Sequence, residues 1–103
     1  MKIIKGLYVG PMAVNDKKII IKDLGTKSIQ AGIYVLTLPI GDSNLLEIYP
    51  AFTLKFPIFR EARRELTVIG IARGREEALS LSATIIQDVY NRTGGFNVRD
   101  FLE

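Results

Sequence analysis

The sequence predicts a small α/β (or α+β) domain: a sheet of three to four strands, mainly parallel, with about three helices packed on it. Three observations carry that expectation. Two apolar runs, residues 33–38 and 66–72, have the composition of strands covered on both faces. Strand-like and helix-like patterns alternate along the chain. The 103 residues contain no Gly/Ser/Pro-rich linker, so they make one domain spanning 1–103.

Taken in order, residues 3–9 read as a strand stopped by Gly10-Pro11. Residues 17–24 follow a cap candidate at Asn15 or Asp16 and close on Gly25. That punctuation predicts a helix with Ile20 and Leu24 on one face, while Ile19-Ile20-Ile21 leaves a strand open as the alternative. Ile33 to Leu38 is the clearest strand, bounded by Gly32 and Pro39. After the turn at Gly41-Asp42, Asp42 or Ser43 is placed to cap a helix carrying Leu45, Ile48, Tyr49 and Phe52, kinked or delayed by Pro50 and closed by Pro57. Residues 66–72 form a second buried-type strand, turned by Arg73-Gly74-Arg75 into a helix over about 76–91. Ala78, Leu79, Ala83, Ile86, Val89 and Tyr90 are its expected apolar face, with Ser82 beside them and Gln87 and Asp88 turned away. Glu76 and Glu77 suit its first turn, and Thr93-Gly94-Gly95 stops it. The tail over 96–102 has apolar anchors that dock on the body. Strands joined through helical crossovers are expected to be parallel and right-handed.

Composition excludes more than it selects. Apolar residues are 48% and charged residues 24%, with a formal charge of +3 and a pI near 9.3, a mildly basic balance that names no partner. With no cysteine, thiolate catalysis, disulfides and iron–sulfur clusters are excluded, and with no histidine a Ser-His-Asp triad is too. The Asp16, Asp23, Asp42, Asp88 and Asp100 carboxylates lack the spacing of a calcium loop. Neither a metal nor a cofactor is therefore expected. The first residues lack a secretory h-region and charges interrupt every apolar run, so the expected location is the cytoplasm, with no membrane partner.

Four constellations are candidates for chemistry. Arg73 and Arg75 flank a strand-to-helix turn, where free N–H groups attract anions. Neither GxGxxG nor GxxxxGK[ST] is present, however, and Glu76 and Glu77 oppose an anion there, so an ordinary turn with solvated arginines is favoured. The run 56–64 interleaves Phe56 and Phe59 with Arg60, Arg63 and Arg64. That composition serves a connecting segment with its rings in the core, a protein interface at Phe56 and Phe59, or a nucleic-acid surface. Asp42, Ser43 and Asn44 follow the clearest strand, where ligands of open sheets bind, although capping accounts for all three. Tyr49 and Tyr90 have no spacing that marks an acid–base pair, and Tyr90 is expected in the core.

The patterns Leu36-Thr37-Leu38-Pro39, Asn44-Leu45-Leu46-Glu47-Ile48-Tyr49, Ile69-Gly70-Ile71-Ala72-Arg73-Gly74 with Glu77-Ala78, and Val89-Tyr90 with Thr93-Gly94-Gly95-Phe96 resemble those of a group of small uncharacterised bacterial α/β proteins. The resemblance implies a shared fold and no activity. The leading expectation is a non-enzymatic accessory protein with a protein partner or self-association. The alternative is a weak anion or nucleic-acid binder using Arg60, Arg63, Arg64, Arg73 and Arg75. A small enzyme built on carboxylates, tyrosine or lysine stands third.

Overall fold

The computed structural model describes residues 1–26, 31–40 and 45–102. Its elements are β1 (Lys2–Val9), α1 (Lys17–Leu24) preceded by a 3-10 turn, β2 (Ile33–Thr37), β3 (Glu47–Pro50), α2 (Arg60–Glu65), β4 (Thr67–Arg73), α3 (Arg75–Thr93) and α4 (Val98–Leu102). Two 3-10 turns, Ala51–Lys55 and Pro57–Phe59, join β3 to α2. The sheet order is β1-β4-β2-β3.

β2 and β4 form the centre of the sheet, which explains why their inner residues are apolar. Val35, Leu36, Val68, Ile69, Ile71 and Ala72 are fully buried. One face of the sheet packs Leu36, Leu38, Ile69 and Ala72 against Ala78, Leu81, Ile85 and Val89 of α3 and Val98 of α4. The other face packs Ile33, Val35, Val68 and Ile71 against Ile20 and Leu24 of α1 and Ala51 and Leu54 of the 3-10 turn. The sheet thus lies between two apolar layers, and the apolar side chains of its two central strands are covered on both faces.

The sheet is mixed, which corrects the mainly parallel expectation. β1 pairs with β4 in parallel, whereas β2 runs antiparallel to both β4 and β3. The cause is local. Residues 47–50 make an edge strand rather than the helix expected from Leu45, Ile48, Tyr49 and Phe52. Tyr49 precedes a proline, a position that disfavours helical backbone, and Pro50 is tolerated at a strand end on a sheet edge. Four α-helices replace the three expected, α2 and α4 being short. α1 is the helix that the punctuation predicted, and it buries Ile20 and Leu24. Asp16 stands at its N-cap position, but its side chain makes no cap bond and reaches Arg73 instead.

The long helix α3 spans 19 residues and ends at Gly94, whose φ of 74° places it in the left-handed region that favours glycine. Its buried face is Ala78, Leu81, Ile85 and Val89. The expected face is therefore only half right: Leu79, Ala83 and Tyr90 are exposed, and Tyr90 at 46% exposure is not a core residue. α3 carries two apolar stripes, and periodicity alone does not say which one meets the sheet.

Candidate functional site

Three regions gather the chemistry. The first lies at the C-terminal end of α1. There the Lys55 ammonium donates to the carbonyl oxygens of Asp23 and Leu24, both at 2.9 Å, and to that of Thr26. Three carbonyls at a helix end carry the negative pole of the dipole, and a lysine supplied by a distant segment neutralises it. Burial and then the Arg63 guanidinium pull Lys55 below its ordinary pKa, against the opposite pull of Asp23. Arg63 Nη1 donates to the Leu54 carbonyl at 3.2 Å. Beside these groups is a cavity of about 590 Å³ walled by Leu24, Lys55, Phe56, Pro57, Arg60 and Arg63, with no carboxylate among its described lining residues.

The second region is the opposite end of β4. Glu77, in the first turn of α3, accepts the backbone N–H of Met12 and of Arg73, each at 2.9 Å. Its carboxylate occupies the place that an anion would take at this strand-to-helix turn. Gly10 makes room for it, since a Cβ on Gly10 would lie 2.0 Å from Glu77 Oε1. Arg73 pairs with Asp16 at 2.7 Å and donates to the Met12 carbonyl. Arg73 is a structural bracket here, while Arg75 is exposed at the start of α3.

The third region is the outer side of α3. Leu79, Ala83, Ile86 and Tyr90 recur at spacings of four, three and four residues. At 3.6 residues per turn this stripe lies about 125° round the axis from the buried one. Leu79 is 49% exposed and Tyr90 46%, and Phe96, 52% exposed, stacks on Tyr90 with ring centroids 5.2 Å apart. The exposed residues of α3 from Leu79 to Asn91 are Leu79, Ser80, Ala83, Thr84, Gln87, Tyr90 and Asn91, and none is charged. An outward helix face is ordinarily rich in charge, whereas interface cores are depleted of it and enriched in aromatic rings.

The five arginines do not share one surface. Arg60 and Arg63 flank the cavity, and Arg64 turns to Glu61 at 3.7 Å. Arg73 and Arg75 sit at the other end of β4, a strand of 7 residues that spans about 20 Å. Of the two expected interface rings, Phe56 is exposed and meets Phe52 edge-on at 5.9 Å, while Phe59 is half-buried. Asp42, Ser43 and Asn44 lie outside the described residues.

The tyrosines take partners that spacing did not reveal. Tyr49 donates to Glu47 at 2.5 Å, and Glu47 also accepts the Ile40 N–H. Tyr8 donates to Asp88 at 2.8 Å. Burial, followed by the neighbouring carboxylate, pushes both phenols up to about 12. Lys55 gave no sign in the sequence, and Glu77, expected in the first turn and opposed to an anion there, proves also to be the acceptor of two backbone N–H groups. The i, i+2 placement of Glu47 and Tyr49 on one side of a strand is a signal that sequence reading can use. The partners of Lys55 and Tyr8, and Met12 for Glu77, are far away in the chain and left none.

Fold and surface together define a sheet domain whose described residues include an uncharged outer stretch of α3 from Leu79 to Asn91 and a cationic cavity. No protein-family model matches the chain, and neither a curated protein nor a solved structure matches it. Among the described residues, no cluster of carboxylates is placed to hold a metal, and no helix is long and apolar enough to cross a membrane.

Proposed function

We propose that the chain is a self-associating interaction module whose contact is the outer stripe of α3, covered by the same stripe of a second copy. The observation that carries this reading is the charge-free apolar seam of Leu79, Ala83, Ile86 and Tyr90. Its four–three–four spacing reads the same in both directions. An antiparallel pair with its two-fold axis between Thr84 and Ile85 then sets Leu79 against Tyr90 of the second copy and Ala83 against Ile86. Small meets large at the centre, which lets the helices approach to about 8–10 Å. Antiparallel dipoles favour the same arrangement, and a two-fold contact needs a self-complementary patch. From Leu79 to Tyr90 the seam is about 17 Å long at the helical rise per residue, and the Tyr90–Phe96 stack widens one end of it.

The test is sedimentation equilibrium of the chain and two variants. The chain is expected to be a dimer in equilibrium with monomer. Ala83→Glu puts a charge in the centre of the seam and yields monomer, whereas Thr84→Glu, on the far side of the exposed surface, leaves the dimer intact. A wild-type monomer at all concentrations, or a dimer indifferent to Ala83→Glu, contradicts the reading.

The nucleic-acid reading is weakened by the separation of the arginines into two groups. Tyr8 and Tyr49 hold their protons to about 12 and donate them to Asp88 and Glu47, which counts against either as a general base.

A further inference from the structure

We propose that the cavity between the end of α1 and the start of α2 binds a small organic phosphomonoester, with Arg60 and Arg63 holding the phosphate and Phe56 and Pro57 holding an apolar or planar body. The site lies across the sheet from α3, so it is independent of self-association: Leu24 belongs to the apolar layer on the other face.

Charge comes first. Lys55, Arg60 and Arg63 converge on a space with no carboxylate among its described walls. Two other arginines meet acids, Arg73 with Asp16 and Arg64 with Glu61, while Arg92 lies over the Phe101 ring and Arg99 donates to the Pro39 carbonyl. Arg60 has no hydrogen-bond or ion-pair partner among the described residues, and Arg63 uses one N–H on the Leu54 carbonyl. Asp23 offsets part of the positive charge at Lys55, but no described lining residue brings a carboxylate to Arg60 and Arg63, and an anion between them relieves their repulsion.

Donor geometry then divides the labour. Lys55 spends its three N–H groups on the carbonyls at the end of α1, so it contributes field but no bond to a ligand. Arg60 and Arg63 stand three residues apart on α2 and so share a face. Each guanidinium offers a planar fork that fits a phosphate bidentately. Two forks and a third cation match a dianion better than a monoanion.

Shape and polarity supply the rest. The cavity volume of about 590 Å³ falls within the range of small-ligand sites. Phe56 is 47% exposed, and its ring, with Pro57 and Leu24, gives the walls an apolar side. An inorganic phosphate would leave that side wet.

The experiment is NMR titration of the full chain at low salt with phenyl phosphate, inorganic phosphate, benzoate and a short single-stranded oligonucleotide. Phenyl phosphate is expected to bind saturably, to move the Gly25, Phe56 and Arg63 resonances, and to bind more tightly than inorganic phosphate or benzoate. Arg63→Gln should weaken it by roughly tenfold or more, the worth of a charge-assisted bond. Arg60→Gln, at an exposed side chain that the fold does not use, should weaken it comparably. Arg75→Gln, at the far end of β4, should leave it unchanged. The proposal is overturned if phenyl phosphate does not saturate, if Arg75→Gln matters as much as Arg60→Gln, if benzoate binds equally well, or if the oligonucleotide binds more tightly than phenyl phosphate at the same residues.

Discussion

The two stripes of α3 are alike in composition and opposite in fate. Ala78, Leu81, Ile85 and Val89 are at most 8% exposed, while Leu79 and Tyr90, on the other stripe, are nearly half exposed. Each stripe has four apolar residues at helical spacing. What separates them is what stands opposite: the sheet for one, open surface for the other. Helical periodicity fixes that a segment is a helix, but the inward face is chosen by long-range partners. Here those partners are polar as well as apolar. Glu77 ties the first turn of α3 to the Met12 and Arg73 backbone, and Asp88 ties a later turn to Tyr8 of β1. Together they set the rotation of the helix about its own axis.

Substitutions in the two stripes should therefore separate folding from association. The largest effect is expected from Ile85→Ala, which empties a fully buried position and should cost about 3 kcal/mol in urea unfolding. Glu77→Ala removes the acceptor for two backbone N–H groups and should cost about 2 kcal/mol by the same measurement, with the first turn of α3 losing protection from hydrogen exchange. Tyr8→Phe loses one bond to a carboxylate and should cost about 1 kcal/mol. Leu79→Ala should change unfolding of the monomer by less than about 0.5 kcal/mol, since its site is already wet. It should nevertheless abolish the rise of Tm with protein concentration that a dimer shows.

A pH prediction follows from the same anchor. Tyr8 holds its proton to about 12 in the folded chain and to 10.0 when unfolded. Between those values the folded state binds the extra proton, so its contribution is whole below pH 10.0 and is lost as the pH rises to about 12. Tyr49 behaves alike through Glu47. Alkaline unfolding followed by circular dichroism should be less steep over that window in Tyr8→Phe and in Tyr49→Phe.

Much of this architecture was legible in the residues. The two apolar runs became the paired central strands, the punctuation around residues 17–24 marked α1, and the best helix fell within two residues of its expected limits at either end. The edge strand at 47–50 was not legible, because Leu45, Ile48, Tyr49 and Phe52 also satisfy helical spacing, and four residues are too few for period two to show. That one misreading turned a mixed sheet into a parallel one. At the candidate sites, the run 56–64 stands out by composition, but spacing alone leaves open whether Arg60, Arg63 and Arg64 share a face with Arg73 and Arg75, which flank the other end of β4. Lys55 was overlooked because its partners, the last carbonyls of α1, come from a segment some thirty residues away.

The covered-stripe claim is tested most directly by cross-linking, for which a chain without cysteine is a clean background. Ala83→Cys and Thr84→Cys, treated with a short bismaleimide at a concentration where the chain associates, place a single thiol on the seam or off it. Rapid covalent dimer from position 83 and little from position 84 is the expected result. Equal yields from both positions, or none from either, would contradict the pairing of α3 with its copy.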